Sequence, residues 1–282
     1  MDIKRAGIYA NPQKDIDFAG AIELARLLRA CAAAVSFDAD GMPPGETDVM
    51  DPAQIDILFV LGGDGTLLKA AERSCPFGVP MLGINLGHLG FLTEVKKDSI
   101  KEAVETICAG NFYIEERLML HFAICKDGVP RLEGDALNDV VVLKKATARM
   151  INVELAVNGA LADKAACDGM LVATPTGSTS YSLSAGGPIV SPHVACMIAT
   201  PICAHSLHSR SIVVSPDDEV VIKPYAPGGA ALAADGIVIS EFQDGEEVRV
   251  SKSKYAARFI RFQKNYFYPL LRSKFISWDR FV

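Results

Sequence analysis

Gly62-Gly63-Asp64-Gly65-Thr66 follows the apolar run at residues 55–61 and precedes a helix-like stretch at 66–74. Three glycines in five positions let a backbone turn tightly and approach a ligand without Cβ clashes. N–H groups at the start of the following helix can hold a phosphate. The turn therefore predicts Gly62, Gly63, Gly65 and Thr66 as phosphate-binding residues. Asp64 is the one acid in an otherwise neutral turn. A carboxylate among phosphate-holding amides repels an anion, so its presence points to a base or a magnesium-associated role. The same residues also read as a structural turn with Asp64 as a helix N-cap. The spacing is neither Gly-x-Gly-x-x-Gly nor the P-loop, so neither of those mechanisms transfers.

A second block is dense in small hydroxyls and glycines: Thr174-Pro175-Thr176-Gly177-Ser178-Thr179-Ser180-Tyr181-Ser182-Leu183-Ser184-Ala185-Gly186-Gly187-Pro188. Hydroxyls are neutral donors and acceptors, suited to ribose and amide groups. Tyr181 offers a flat face for a base and a phenolic hydroxyl. A serine-rich loop leading into a small-residue helix is the plainer reading of the block. Asp168-Gly169 and Asn138-Asp139 read by themselves as a β-turn and a strand-start cap. His205 and His208 would share one side of a helix, but no acid or cysteine is spaced to complete a metal site, so none is predicted. A structural or phosphate-facing role is expected for them, and His88 is expected to be a loop residue shaping the site.

The elements that must position these groups fall into two patterns. Residues 6–10, 55–61 and 79–84 read as buried strands. They alternate with helical periodicity at 18–35, 66–74 and 99–109, the last with Ser99 as its N-cap. Such alternation implies a parallel sheet with helices on its faces. After about residue 110 the pattern becomes strand after strand: 118–125, 140–143, 151–157, 170–173, 212–215, 219–222, 237–241 and 247–250. The turn dipeptides Asp127-Gly128, Asn158-Gly159 and Asp244-Gly245 separate several of them. The expected fold class is an α/β N-terminal domain with a parallel sheet, plus a C-terminal β-rich, sandwich-like domain. The expected boundaries are 1–110 and 111–262, with a tail at 263–282 that packs back on the first domain.

Composition narrows the function. Half of the 282 residues are apolar and 22% are charged, an ordinary globular balance. The net charge of −6 argues against non-specific nucleic-acid binding, which needs a basic footprint. The seven cysteines form no Cys-x-x-Cys pair, so buried, reduced thiols in a cytoplasmic protein are expected. No signal peptide and no long N-terminal regulatory arm is expected. Residues 169–209 carry no Asp, Glu, Lys or Arg, but four prolines interrupt them. They read as an uncharged interior wall and not as a membrane span.

The glycine turn resembles the signature of a kinase superfamily that includes NAD kinases, diacylglycerol and sphingosine kinases, and 6-phosphofructokinases. The hydroxyl block resembles the second signature of NAD kinases in particular. Three more segments agree: Gly83-Ile84-Asn85-Leu86-Gly87-His88-Leu89-Gly90-Phe91-Leu92, Leu137-Asn138-Asp139-Val140-Val141, and Ala204-His205-Ser206-Leu207-His208-Ser209-Arg210. The resemblance implies phosphoryl transfer to the 2′-hydroxyl of the adenosine ribose of NAD, making NADP. ATP with a divalent cation, expected to be substrate-bound Mg²⁺, is the implied donor, and some bacterial members also accept polyphosphate. A homodimer or homotetramer is implied, with no nucleic-acid or membrane partner.

Carried over by position, the resemblance makes Asp64 the proton acceptor, with Gly65 beside it at the ligand. Asn138 and Asp139 match the pair that holds the ribose and adenine side of NAD. Asp168 matches a carboxylate near the nicotinamide end, contributed by the neighbouring subunit. Thr176, Thr179, Ser180, Tyr181, Ser182 and Ser184 match the nucleotide-contacting stretch. Lys69 and Arg149 occupy ligand-touching positions, although Lys69 also reads as a solvated helix residue. Four positions depart from the common pattern: Asp139 for Glu, Ser180 for Ala, Ala166 for Arg and Ile237 for Gln. They bear on the nicotinamide-end contacts and on preference between NAD and NADH. A lipid kinase would share the glycine turn but not the hydroxyl block. A non-catalytic NAD-binding regulator would keep the block but give no reason for Asp64.

Overall fold

The computed structural model describes residues 3–87, 90–145, 149–206 and 208–278, with side chains through residue 275. His88 therefore lies outside the described residues. The chain divides into two compact units, one running to Glu116 and resuming at Ala257, the other spanning Arg117–Ala256.

The first unit is built on β1 (Arg5–Ala10), α1 (Ala19–Ala30), β2 (Ala34–Phe37), β3 (Ile57–Gly62), α2 (Asp64–Ser74), β4 (Met81–Asn85), the short β5 (Val95–Lys96) and α3 (Ile100–Cys108). Strands β2, β1, β3 and β4 lie in that order, each parallel to its neighbour. All six residues of β3 are buried, as expected for a parallel strand covered on both faces. Leu24, Ala25 and Leu28 of α1 and Ala103, Val104 and Ile107 of α3 share a core with Ile8, Phe59 and Ile84. The chain turns one way from β1 to β2 and the other way from β3 to β4. The carboxyl ends of β1 and β3 thus flank a topological switch point, where open α/β sheets bind ligands.

Two local expectations change. The helix expected over 18–35 ends at Ala30; Ala32 takes a positive φ of 62°, and β2 pairs with β1. The alanine-rich stretch continues a helical pattern on paper, but Val35 and Phe37 are buried on alternate positions, which is strand periodicity. Ser99 does precede α3, yet its side chain makes no capping hydrogen bond.

The remaining elements are β6 (Tyr113–Lys126), β7 (Val129–Ala136), β8 (Asp139–Lys144), β9 (Ile151–Val157), β10 (Ala160–Cys167), β11 (Gly169–Ala173), α4 (Tyr181–Ser184), β12 (Met197–Ile202), β13 (Ile212–Val214), β14 (Val220–Tyr225), β15 (Ala230–Ala234), β16 (Ile237–Glu241), β17 (Glu247–Arg261) and α5 (Phe267–Trp278). In the second unit β10, β9, β14 and β17 pair antiparallel, and β13, β12, β11, β8, β15 and β16 form another antiparallel sheet. Val140, Val142, Met170 and Val172 of one sheet share a core with Val153, Leu155, Val220 and Val248 of the other. Val141 and Leu171, one residue out of phase, face the opposite side.

Asp127 and Gly128 (φ 51° and 79°) close the β6–β7 hairpin, and Asn158 and Gly159 (49° and 79°) close β9–β10. Consecutive positive φ values are what a two-residue primed turn requires. Strands β7, β10, β12 and β15 had no clear sequence signal. The first exposes much of its length, the second and last are alanine-rich, and the third contains Pro201. The uncharged stretch does form a wall at its two ends, where every residue of β11 and β12 is buried. Among the described residues no helix is long and apolar enough to cross a membrane.

The tail forms α5, whose Phe267 ring is buried with its centroid 6.4 Å from that of Phe91. The cysteines depart from the expectation of burial: Cys31, Cys108 and Cys203 are exposed, while the other four are buried.

Candidate active site

In the first unit the glycine turn joins β3 to α2, with Gly63 as the N-cap and Asp64 as the first helical residue. Asp64 is thus not the cap. Its side chain reaches another loop, where Oδ2 accepts the N–H of Phe91 at 2.8 Å and Oδ1 accepts the N–H of Leu92 at 3.1 Å. These bonds orient the carboxylate and leave lone pairs on both oxygens. Gly90 packs so closely against Asp64 that a Cβ there would overlap the carboxylate.

Thr66 is buried and braces the turn. Its Oγ1 accepts the side-chain N–H of Asn11 at 3.1 Å and the N–H of Gly63 at 3.4 Å. Gly62 has no room for a side chain, because a Cβ would strike Thr66. Lys14, Gly63, Asp64, Asn85, Leu86, Gly87 and Gly90 line a cavity of about 480 Å³ at this end of the sheet. Gly65 is exposed at the turn. Lys69 is exposed on α2, and its side chain forms no hydrogen bond or ion pair with a described residue.

In the second unit Asp139 opens β8, Asn138 directly precedes it, and both are buried. The turn residue Asp235 holds them: its carboxylate accepts the N–H groups of Leu137 (2.8 Å), Asn138 (2.6 Å) and Asp139 (3.2 Å). Burial, and then the charge of Asp235, push the Asp139 carboxyl from 3.8 up to about 7. The hydroxyl block meets this pair through the adjacent strand β11. Thr174 donates its N–H to the Asn138 carbonyl at 2.9 Å and its hydroxyl to the Leu137 carbonyl at 2.6 Å. Gly177 lies directly against the Asn138 backbone, where no side chain would fit.

The block is not uniformly available to a ligand. Thr176 is buried and its Oγ1 accepts from Arg117 Nη1 at 2.9 Å. Thr179 Oγ1 donates to the Thr176 carbonyl at 3.2 Å. Ser182 is fully buried, and its hydroxyl has no hydrogen-bond partner among the described residues. Ser180, Tyr181 and Ser184 are exposed.

Asp168 is half-exposed where the chain passes from β10 in one sheet to β11 in the other, and its Oδ1 lies 2.6 Å from Lys144 Nζ. It sits at a sheet-to-sheet corner and not in a β-turn, and Gly169 admits the close approach of the Val142 carbonyl. Arg149 is exposed ahead of β9 and pairs with no described residue. His205 and His208 are exposed in a segment that is not helical where described. Among the described residues no three His, Cys, Asp or Glu side chains converge as a metal cage.

Sequence reasoning did not single out Lys14, Arg117 or Asp235. Asp235-Gly236 and Asn11-Pro12 are turn-forming dipeptides by residue type. Neither signal names a partner.

Comparison with known proteins identifies the family and the fold. The ATP-NAD kinase N-terminal domain family matches residues 42–112, and the ATP-NAD kinase C-terminal domain family matches residues 137–262. An NAD kinase of Symbiobacterium thermophilum is 46% identical over 222 residues, covering 78% of this chain and 78% of that protein. The yeast NADH kinase complexed with NADH superimposes with a TM-score of 0.83 at 26% identity, over 94% of this chain and 85% of that one. The NAD kinase from Archaeoglobus fulgidus in complex with ATP does so with a TM-score of 0.76 at 27% identity, over 96% and 98%. The chain belongs to the NAD kinase family of phosphotransferase enzymes.

Proposed function

We propose that this chain transfers the terminal phosphoryl group of ATP to the 2′-hydroxyl of the adenosine ribose of NAD, with Asp64 as the proton acceptor. The observation that carries the assignment is the cavity at the sheet's switch point, where Asp64 is the only acid among the described lining residues. The 2′-oxygen forms its bond to the γ-phosphorus as the bond to the β–γ bridging oxygen breaks. ADP leaves, and the hydroxyl proton passes to a free lone pair on the Asp64 carboxylate. Phosphoryl transfer has a loose transition state, so positioning and charge stabilisation do most of the catalysis. A weak but well-placed base suffices, because the proton leaves late.

Asn138 and Asp139 hold the ribose and adenine side of NAD in this reading, and the exposed residues of the hydroxyl block contact the nucleotide. The divalent cation enters with the substrate, as magnesium bound to ATP. The protein acts as a cytoplasmic homo-oligomer in which Asp168 serves the neighbouring subunit's site.

Incubation with NAD, ATP and magnesium, followed by an NADP-specific dehydrogenase assay, tests the activity; replacing ATP with polyphosphate tests the second donor. Asp64→Asn should bind NAD yet lose about 10²–10⁴ in turnover. NADP-free mixtures from the wild-type protein would sink the function, and near-normal turnover in the variant would sink the role of Asp64.

A further inference from the structure

The first unit's cavity poses a charge problem. A nucleoside triphosphate is a polyanion, and Asp64 already places a negative charge on the wall. Among the described lining residues Lys14 is the single cation. It is exposed and makes no side-chain hydrogen bond or ion pair with a described residue. Its Nζ lies 3.0 Å from the position a Cβ would take on Gly63, directly over the glycine turn.

The fold holds Lys14 there from a distance in sequence. β1 and β3 are parallel neighbours, so the loops leaving their carboxyl ends meet at the switch point. Asn11 ties the first loop to the second twice. Its N–H donates to the Leu61 carbonyl at 2.9 Å, and its side-chain amide donates to Thr66 at 3.1 Å. Lys14 follows in a backbone turn closed by its own N–H to the Asn11 carbonyl at 3.0 Å. A lysine ammonium carries three donors and acts on phosphate as a point charge.

We infer that Lys14 is a substrate-binding residue that contacts a phosphoryl oxygen of the donor nucleotide, supplying the positive charge that the glycine turn lacks. The inference rests on the reading of that turn as the donor site. Loss of the charge should weaken the donor and leave the acceptor's affinity alone.

The test is direct binding of a non-hydrolysable ATP analogue with magnesium, by calorimetry, to the wild-type chain and to Lys14→Met, Lys14→Glu and Lys14→Arg. Lys14→Met should bind about tenfold more weakly and Lys14→Glu more weakly still, while Lys14→Arg stays within about threefold. Apparent KM for ATP should rise in step, and KM for NAD should not. The exposed side chain leaves the melting temperature unchanged. Equal binding by wild type and Lys14→Met overturns the inference. So does an effect confined to NAD, which would place the lysine on the acceptor's pyrophosphate, or a wild-type chain that does not bind the analogue. Analogue binding does not depend on turnover. A chain that binds the analogue through Lys14 yet makes no NADP would refute the proposed function and leave the role of Lys14 standing.

Discussion

The Asp64 carboxylate rests against the α-carbon of Gly90 while the next two residues, Phe91 and Leu92, donate their N–H groups to its two oxygens. The candidate base is thus oriented by a loop more than twenty residues downstream, and that loop can approach only because position 90 has no side chain. Gly90 is not in the left-handed region, so a substitution there acts through contact and not through backbone strain.

Gly90→Ala should therefore push the carboxylate aside without unfolding the chain. A displacement of about 1 Å at a reacting group can cost about 10²-fold in rate. Steady-state kinetics should show that loss in turnover, with NAD affinity and melting temperature close to wild type. Unchanged turnover would mean that the position of Asp64 is not critical.

The same loop is held from its other side. The fully buried Arg261 donates to the Leu92 carbonyl at 3.0 Å and pairs with Glu94 at 3.0 Å and Glu115 at 2.9 Å. Removing the guanidinium takes the cation from two poorly exposed carboxylates, which keep the Phe262 N–H (to Glu94) and the Tyr266 hydroxyl (to Glu115) as donors. Arg261→Ala should lose about 3–5 kcal/mol of stability in a denaturant titration. A loss below about 1 kcal/mol would show that these acids find water or protons readily.

Asp139 predicts a pH dependence. Its carboxyl is raised from 3.8 to about 7 by burial and by Asp235. The folded state binds the proton more tightly than the unfolded state, so the stability associated with this group is present below pH 3.8 and is lost as pH rises through about 7. Asp139→Asn keeps the shape and removes the charge. Its stability advantage over wild type should grow between about pH 4 and pH 7 and then level, reaching up to about 4 kcal/mol. Paired denaturant titrations at pH 5 and pH 8 measure it, and an advantage independent of pH would refute the assignment.

The shared site is tested by mixing. Asp64→Ala and Asp168→Ala should each be nearly inactive if Asp168 is needed for binding, whichever chain supplies it. Refolded together, about half the dimers are mixed, and one of the two sites in each mixed dimer keeps both acids. Activity should recover to roughly a quarter of wild type. No recovery, with mixed dimers shown to form, would place Asp168 within its own chain, where Lys144 already pairs with it.

Much of this was legible in the chain before folding. A glycine turn after a continuous apolar strand, a hydroxyl block, and Asp-Gly or Asn-Gly pairs each encode a local backbone conformation. Local conformation is set by neighbours in sequence, through glycine's freedom, side-chain periodicity and turn chemistry. Hence Asp64 and the hydroxyl stretch could be named as candidates and the parallel-then-antiparallel architecture could be read, whereas Asn138 and Asp139 were named only through the resemblance to NAD kinases. Strands made of alanine or of exposed polar residues, such as β15 and β7, carry too little apolar signal and were lost. What only the tertiary structure decided is which distant groups meet. Lys14 reaches Gly63 because β1 and β3 lie side by side; Asp235 holds Asn138 and Asp139 because β15 pairs with β8; and Gly90 admits Asp64 because β4 ends beside β3. Strand adjacency is a property of the whole packed sheet, and no stretch of sequence contains it.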